Sequence, residues 1–279
     1  GNFTGIRIMG VFQNNLLAAS AAAASAGGGA FYSYQIEQSA RFSRAENSYL
    51  TGYANNFGTG DRRKWTISFW IKLTASDGFG SKNYFFMSAD TNAAGAYDAL
   101  TFDIDSESRF YYQVANKYYY PNGSFRNPNA WSHFLIVFDS DNSTADDRRI
   151  MYLNGSRLGT HDAGGGIAQN TDSQINWGTK THYIGRRQDN SSSHHGDFLL
   201  AEYIFADGQA YAPTQFGESK NGVWIPKDPT GTNFGTTGQH LKFENASDLG
   251  NDSSGNNNDW TVSNMGADHQ ISDSPTFGD

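Results

Sequence analysis

Residues 131–158 place the strongest constraint on the fold of this chain. They form an apolar run, W-S-H-F-L-I-V-F-D, a polar run, S-D-N-S-T-A-D-D-R, and a second apolar run, R-I-M-Y-L-N-G-S-R-L. This pattern predicts an antiparallel hairpin, and Asn154-Gly155 predicts a further tight turn because both residues accept positive φ angles. Phe134 to Phe138 are apolar at every position, so both faces of their strand carry apolar side chains. We therefore expect this strand to be covered on both sides.

Length and charge narrow the possible classes of protein. With 279 residues and no cysteine, the chain can bury a full core without disulfides or zinc–thiolate sites, as one large all-β domain or two small ones. A net charge of −8 with only 20 Lys plus Arg argues against a nucleic-acid binder held by phosphate contacts. No segment approaches the roughly 20 apolar residues of a membrane span. We expect neither nucleic acid nor a membrane as a partner.

Short apolar runs separated by turn residues continue on either side of the hairpin. In W-T-I-S-F-W-I-K-L, residues 65–73, apolar residues alternate with Thr66, Ser68 and Lys72, which is the period of a half-buried strand, with Trp70 as the exception on the polar face. Pro213 to Phe216 predicts one helical turn. Further strands are predicted at 83–87, 99–104, 109–114, 182–184 and 198–205. Many short strands and no long helix predict a β-sandwich or barrel.

Residues 1–38 differ from the rest of the chain, because their middle is rich in Ala and Gly. L-L-A-A-S-A-A-A-A-S-A has the composition of a secretory h-region with a cleavage site, but a strongly basic segment before it is missing. So little apolar surface cannot order an arm by itself. We expect either an assembly arm held by neighbouring subunits or an arm folded over a sheet of its own chain.

The order of the central runs resembles a known family. A-R-F-S, W-T-I-S-F-W-I-K, W-S-H-F-L-I-V-F-D with R-R-I-M-Y-L-N-G-S-R-L, and G-D-F-L-L-A-E-Y resemble the laminin-G-like branch of the concanavalin A-like lectin/glucanase superfamily, across residues 39–205. The resemblance implies an all-β fold, a concanavalin A-like two-sheet jelly-roll sandwich with an N-terminal arm and a C-terminal extension. The implied divisions are 1–38 for the arm, 39–206 for the sandwich and 207–279 for the extension.

The C-terminal extension carries a second resemblance. I-F-A-D-G-Q-A-Y-A-P-T-Q-F-G-E, N-G-V-W-I-P-K and L-G-N-D-S-S-G-N-N-N-D-W-T-V-S-N are similar to the region that follows this domain in structural and tail-fibre-like proteins of marine bacteriophages. The D-S-S-G-N-N-N-D-W-T motif usually opens a laminin-G-like domain, but fewer than twenty residues follow it here. We expect strands near 241–243 and 260–262 to pair with this domain, with another chain or a longer protein as the alternatives.

Acidic residues raise two chemical possibilities. Asp103-Ile104-Asp105-Ser106-Glu107 is similar to the alternating acids of laminarinase-like glycosidases, but it begins with Asp and lies where a turn is expected, so we interpret it as a solvated turn. Laminin-G-like sandwiches often carry calcium on acidic loops, and calcium takes six to eight hard oxygens. The candidate calcium ligands are Asp139, Asp141, Asp146, Asp252 and Asp259, with Asn142, Asp147, Asp248 and Asn256 beside them.

Aromatic residues in polar surroundings are candidates for carbohydrate binding, because sugars stack their C–H faces on aromatic rings. The candidates are Trp70, Tyr118, Tyr119, Tyr120 and Trp177, and each could equally be covered by an arm or a subunit. His194-His195 has no spacing that supports catalysis and is interpreted as a polar loop tip. His133 is interpreted as a hydrogen-bonded sheet residue.

Taken with the resemblance, these features predict a non-enzymatic structural protein on the surface of a bacteriophage virion, made in the bacterial cytoplasm. It would be a fibre or a capsid decoration protein that assembles through its arm with itself, as a trimer or other symmetric multimer, and with other virion proteins. Its loops would bind a host-surface glycan, with no cofactor unless calcium binds. The alternatives are a secreted carbohydrate-binding module and a glycan depolymerase on the same fold.

Overall fold

The structure is a computed structural model that describes residues 31–52, 58–74, 83–89, 98–103, 109–115, 117–121, 130–163, 166–187 and 195–276. This part of the chain forms strands and three 3₁₀ turns, at Ala145–Asp147, Pro213–Gln215 and Ala267–His269, and it contains no α-helix. The helical turn predicted at 213–216 is therefore a 3₁₀ turn. No helix in these residues is long and apolar enough to cross a membrane.

The strands, in chain order, are β1 (Ser39–Phe42), β2 (Tyr49–Gly52), β3 (Lys64–Leu73), β4 (Asn83–Ala89), β5 (Asp98–Asp103), β6 (Arg109–Val114), β7 (Lys117–Pro121), β8 (Ser132–Asp139), β9 (Arg149–Leu153), β10 (Ser156–Arg157), β11 (Thr160–Ala163), β12 (His182–Ile184), β13 (Phe198–Asp207), β14 (Gly217–Lys220), β15 (Val223–Pro226), β16 (Gln239–Leu241), β17 (Thr261–Ser263) and β18 (Gln270–Ile271). The predicted strands at 83–87, 99–104, 109–114, 182–184 and 198–205 all fall on members of this series.

Two sheets pack face to face as a sandwich. Within the described residues, the first sheet has the order β10-β9-β8-β3-β13-β1-β18, with β16 also paired to β13. The second sheet has the order β11-β7-β6-β5-β4-β12-β2-β17, and β14 and β15 form a separate hairpin. Every pairing is antiparallel, which is the arrangement expected from many short strands joined by turns. The predicted two-sheet sandwich is confirmed.

Large aromatic side chains fill the space between the sheets. Trp65 on β3 lies 5.3 Å from the ring of Phe138 on β8, and it meets Tyr112 of the second sheet edge to face at 6.0 Å. Phe134 likewise lies 4.9 Å from Phe110 of the second sheet. All five side chains are buried, with at most 3% of their surface exposed. Such pairs add to the stability that burial alone gives a core.

The central hairpin has the predicted form. β8 pairs with β9 in the register Phe134↔Leu153 to Phe138↔Arg149. The tight turn after β9 is made by Asn154 and Gly155, with φ angles of 47° and 77°, as a two-residue turn requires. The Asn154 side chain also accepts a hydrogen bond from the His133 N–H at 2.8 Å, which fixes the turn against β8.

Both faces of β8 are covered, as its apolar run predicted. Phe134, Ile136 and Phe138 face the main core. Leu135 and Val137 face the other way, where they form a second cluster with Ile204 of β13 and with Phe216, which follows the 3₁₀ turn Pro213–Gln215. This cover comes in part from the C-terminal extension.

β3 is buried on both faces, so the prediction of a half-buried strand is wrong. Its polar face is covered by later parts of the chain that satisfy the hydroxyl groups. The Thr66 hydroxyl donates to the Gln209 carbonyl at 2.7 Å and accepts from the Tyr211 N–H at 3.0 Å. Ser68 lies 2.8 Å from His133 Nε2. A period-2 pattern shows which residues share a face but not whether a distant segment covers it.

The C-terminal extension contributes strands to both sheets. β16 pairs with β13, β17 with β2 and β18 with β1. The strands near 241–243 and 260–262 therefore pair with strands of this chain. A chain segment that contributes strands to two sheets is fixed by backbone hydrogen bonds as well as by packing.

Residues 31–38, the end of the predicted assembly arm, lie on the outer face of the first sheet. Ile36 is 3% exposed and clusters with Trp70 and Ala201. Its N–H donates to Thr276 Oγ1 at 2.9 Å, so the arm and the C-terminal segment are bonded to each other. This part of the arm folds over a sheet of its own chain, and residues 1–30 lie outside the described residues.

Candidate functional site

On the outer face of the second sheet, residues from all eight strands line up in one row, which includes Tyr118 and Tyr183. Successive strand registers align one residue from each of its eight strands: Ala163, Tyr118, Gln113, Ala99, Ser88, Tyr183, Thr51 and Thr261. The residues next to this row, among them Leu50, Leu100, Tyr112 and Tyr119, belong to the core. Because neighbours on a strand point to opposite faces, Tyr118, Gln113, Ala99, Tyr183, Thr51 and Thr261 point to the outside of the sandwich.

Tyr118 and Tyr120 form one end of this face. Both are half-buried, and their rings are nearly parallel, 6.0 Å apart with 13° between the planes. Tyr119 between them points inward, is 2% exposed and packs edge to face on Tyr112. Two parallel tyrosine rings on an outer sheet face offer an apolar surface with hydroxyl groups at its rim, which is suited to a sugar ring.

A second aromatic group lies across the same sheet, and sequence reasoning missed it. The Arg186 guanidinium lies 4.4 Å from the Tyr49 ring centre and 4.5 Å from that of Tyr183. Tyr183 is four strands from Tyr118 in the row, or about 19 Å at the usual strand spacing. The alternation of Y-L-T-G and H-Y-I, with Leu50 and Ile184 pointing inward, contained the signal for both tyrosines.

The middle of the row is closed. Between Tyr118 and Tyr183, Gln113 is 4% exposed and Ala99 is 0% exposed. The two aromatic groups are therefore separate surfaces in this structure rather than the ends of one open groove.

Trp177 is half-buried and carries cations on its ring. The Arg62 guanidinium lies 4.0 Å from the ring centre, and Lys180 Nζ lies 4.8 Å from it. Cation–π contacts of this kind use the ring face that a sugar would need. The ring faces of Trp177 therefore already contact two cations of the chain.

Two of the candidate aromatic residues are buried, which corrects their proposed role. Trp70 is 5% exposed because residues 31–38 and the β14–β15 hairpin cover the face of the first sheet on which it lies. Its ring also packs against His133 at 5.0 Å. Tyr119 belongs to the core between the sheets. Neither ring presents a surface to a ligand here.

His133 is held between two partners inside that cover. Trp224 Nε1 donates to His133 Nδ1 at 3.1 Å, so Nδ1 is an acceptor and Nε2 carries the proton toward Ser68. Burial lowers the pKa of His133 to about 3. Its interpretation as a hydrogen-bonded sheet residue is confirmed. His195, by contrast, is 2% exposed and lies 5.9 Å from the Tyr49 ring, so it is not at a loop tip, whereas His194 lies outside the described residues.

The acids of the central loop face basic side chains. Asp139 lies 3.7 Å from Lys64 Nζ, Asp141 lies 3.8 Å from Arg63, and Asp147 accepts from Arg157 at 2.7 Å. Asp146 is exposed. Ion pairs of this kind point the carboxylates at cations already present in the chain. They do not converge on a common point, which a calcium site requires.

The acids near the C-terminus bind backbone N–H groups. Asp252 Oδ1 accepts from the N–H groups of His240 and Ser254, at 2.8 and 2.9 Å, and Oδ2 accepts from Asn258 N–H at 2.9 Å. Asp259 Oδ1 accepts from the Asp252 N–H at 2.8 Å. Among the described residues, no group of three or more acidic or histidine side chains is placed to hold a metal. The calcium prediction is not supported at either loop.

The acidic run considered for glycoside hydrolysis lies largely outside the described residues, which include only the backbone of Asp103. The described chain does contain a buried acid, Glu202, at a bulge of β13 with φ of +48°. Its carboxylate accepts from Tyr34 at 2.9 Å and lies 2.8 Å from His240 Nε2. Burial raises the pKa of the Tyr34 hydroxyl well above its usual value, and the Glu202 carboxylate adds to this effect. The group lies beneath residues 31–38 and joins them to the sheet.

Comparison with known proteins identifies the family. Residues 44–202 match Laminin_G_3, described as the concanavalin A-like lectin/glucanases superfamily. The match spans more than half of the chain, and the chain belongs to this family. A comparison with curated protein sequences found no match.

Solved structures with a similar fold come from several classes of protein. The native heptameric SAP-like pentraxin of Limulus polyphemus has 18% identity and a TM-score of 0.43, over 66% of this chain and 82% of that one. Domains LG4-5 of the mouse laminin alpha1 chain have 13% identity and a TM-score of 0.38, over 71% and 45%. Tailspike protein 2 of the Escherichia coli O157:H7 bacteriophage CAB120 has 11% identity and a TM-score of 0.37, over 63% and 23%. These similarities concern the fold alone.

Proposed function

We propose that this chain is a non-enzymatic structural protein of a bacteriophage virion, a fibre or capsid decoration protein, that binds a host-surface glycan through its second sheet. The observation that carries the glycan-binding part is the parallel pair of Tyr118 and Tyr120 on the outer face of that sheet. Of the aromatic residues named from the sequence, these two combine an outward position with nearly parallel ring planes. Membership of a lectin-containing superfamily supports this role.

A glycan would stack its C–H face on the two rings while its hydroxyl groups bond to the phenolic oxygens and to nearby backbone. Removing one ring would remove roughly 50 Å² of apolar contact with the sugar, which weakens the binding free energy by about 1.3 kcal/mol and the affinity by close to tenfold. A glycan array probed with the wild type and with Tyr118→Ala/Tyr120→Ala tests this. Tyr152→Ala is the matched control, because it removes a half-buried tyrosine from the first sheet.

The virion location is supported by the sequence of the extension. The resemblance of residues 204–264 to the corresponding region of phage structural proteins covers β14 to β17, of which β16 and β17 pair with strands of the sandwich. Mass spectrometry of purified phage particles, with a protease-accessibility assay, tests the location. Recovery of the chain only from culture medium, without particles, would favour the secreted carbohydrate-binding module instead.

Assembly is tested by the oligomeric state of the full chain. A virion fibre or decoration protein should be a symmetric multimer that uses residues 1–30. Light scattering after size-exclusion chromatography should give a multimer for the full chain and a smaller species when residues 1–30 are removed. Release of reducing sugar from bacterial exopolysaccharide would favour the depolymerase and would count against the non-enzymatic role.

A further inference from the structure

The described residues contain two Asn-Gly sequences, and both form turns of nearly the same backbone shape. Asn154-Gly155 joins β9 to β10 with φ angles of 47° and 77°, and Asn221-Gly222 joins β14 to β15 with φ angles of 53° and 81°. Asn-Gly favours such turns, and it is also a sequence in which the asparagine side chain deamidates readily, because glycine leaves its backbone nitrogen unhindered. The same reaction can therefore be compared in two different surroundings.

Deamidation of an asparagine proceeds through a cyclic imide. The backbone nitrogen of the following residue attacks the side-chain carbonyl carbon and forms a C–N bond, and the side-chain nitrogen leaves as ammonia with the proton of the attacking N–H, carried by water. A second water then opens the succinimide ring at either carbonyl group, which gives aspartate or isoaspartate. The ring closes only when the backbone rotates away from the geometry of the tight turn, so the turn must first open locally.

The turn at Asn154-Gly155 is held closed from two sides. Asn154 Oδ1 accepts from the His133 N–H at 2.8 Å, and the Asn154 N–H donates to the His133 carbonyl at 2.9 Å. The Trp224 ring lies so close to Gly155 that a Cβ there would come within 2.4 Å of it. Opening this turn breaks both hydrogen bonds and displaces the indole, so the fold protects Asn154 from ring closure.

The turn at Asn221-Gly222 lacks such contacts within the described part of the chain. Both residues are exposed, and nothing lies within 4 Å of the position that a Cβ on Gly222 would take. The Asn221 side chain has no hydrogen bond to a described residue, so no group in this part of the chain restrains its carbonyl carbon. Local opening of this turn therefore costs only the contacts of the turn itself.

We infer that Asn221 is a site of spontaneous deamidation, and that its isoaspartate product loosens the hold of the β14–β15 hairpin on residues 31–38. Isoaspartate places one more methylene group in the main chain at the tip of the hairpin, where Lys220 pairs with Val223. Lys220 Nζ donates to the Phe31 carbonyl, and Val223 packs with Phe31 and Tyr32. Both contacts depend on the length of the turn between their two strands. The inference does not rest on the proposed function.

Peptide mapping by mass spectrometry, after incubation of the full chain in mildly alkaline buffer, tests the site of modification, and enzymatic methylation counts isoaspartate. Asn221 should convert roughly tenfold faster than Asn154 in the folded protein, because opening the turn at Asn154 breaks two additional hydrogen bonds. In urea, where neither turn is formed, the two residues should convert at similar rates. The inference is overturned by no conversion of Asn221 in the folded chain, by equal folded-state rates at the two sites, or by a ratio of rates that urea leaves unchanged.

Hydrogen–deuterium exchange of residues 31–38 tests the loosening. After the same incubation, these residues should exchange faster in the wild type but not in Asn221→Gln, which keeps an amide at the turn and closes the corresponding larger ring much more slowly. Asn221→Asp carries the charge of the products without the added methylene group, so before incubation it should exchange like fresh wild type. Unchanged exchange in wild type that has accumulated isoaspartate would overturn the loosening, as would equal acceleration in incubated Asn221→Gln or in fresh Asn221→Asp.

Discussion

Replacing Trp224 should show how firmly the β14–β15 hairpin covers the first sheet. Trp224 lies at the centre of that cover: its Nε1 donates to buried His133 at 3.1 Å, and the two rings are 6.0 Å apart and nearly parallel. Its ring also packs against the backbone of Gly155 and Gly217, where a Cβ would overlap it. One side chain thus joins the hairpin, the turn after β9 and the polar interior of the sheet.

The expected costs follow from these contacts. Trp224→Phe keeps most of the ring but leaves His133 Nδ1 without its donor, and a buried unsatisfied group costs about 1–3 kcal/mol. We expect the lower part of this range for Trp224→Phe, because Trp224 is half-buried and water can reach its edge. Trp224→Ala also removes the ring packing, for which a fully buried aromatic costs about 3–5 kcal/mol. We therefore expect the free energy of unfolding to fall by about 1–2 kcal/mol in Trp224→Phe and by about 3–4 kcal/mol in Trp224→Ala.

Urea unfolding, followed by fluorescence and by circular dichroism, measures both free energies. Trp177→Phe is the control, because Trp177 is also half-buried and keeps an aromatic ring under Arg62; surface changes of this kind usually stay within about 0.5 kcal/mol. If Trp224→Ala costs less than about 1 kcal/mol, or if Trp224→Phe matches the wild type, the hairpin is not the fixed cover described here.

Three further perturbations have definite expected outcomes. Gly155→Ala should lose at least about 2 kcal/mol in urea unfolding, because φ is +77° and the new Cβ overlaps the indole just described, whereas Gly222→Ala, at φ of +81° in open space, should lose only about 1–2 kcal/mol; equal losses would contradict the contact. Burial lowers the pKa of His133 to about 3 and of His182 to about 4, and it raises that of Asp98 to about 6. As the pH falls, the two histidines protonate in the unfolded chain before they do so in the folded one, so the stability of the folded state is highest above about pH 6.5 and then decreases. Asp98 takes up its proton in the folded chain first, which offsets part of this loss of stability below about pH 6. The net loss should be roughly 3 kcal/mol by pH 4.5, and stability that stays constant or rises from pH 7 to 4.5 would contradict this assignment. Added calcium should leave the thermal unfolding temperature unchanged, because the candidate carboxylates already bind basic side chains and backbone N–H groups; a rise that a chelator reverses would restore the calcium prediction.

Much of the fold was predictable from local patterns. The run at Phe134 to Phe138 required cover on both faces, and Asn154-Gly155 specified its turn, because both signals depend only on neighbouring residues. The fate of Trp70 was not predictable in the same way. Apolar and polar residues alternate along its strand, which is typical of a strand with one exposed face. The Trp70 ring is buried because residues 31–38 and β15 pack over that face.

The candidate site was predictable only in part. Alternation along β7 could have separated Tyr119, which points inward, from its two neighbours. The acids could not be assigned from sequence, because the partners of Asp252 are N–H groups of His240, Ser254 and Asn258, and backbone donors leave no mark in a sequence.

We propose that the pair of Tyr118 and Tyr120, on the outer face of the second sheet, binds glycan. A glycan array carrying bacterial surface polysaccharides, probed with wild type, Tyr118→Ala/Tyr120→Ala and Tyr152→Ala, tests it most directly. We predict binding of at least one polysaccharide by the wild type and by Tyr152→Ala, and a loss of tenfold or more in the tyrosine-pair variant. Wild-type binding that survives unchanged in that variant, or no binding to any polysaccharide, would contradict the claim.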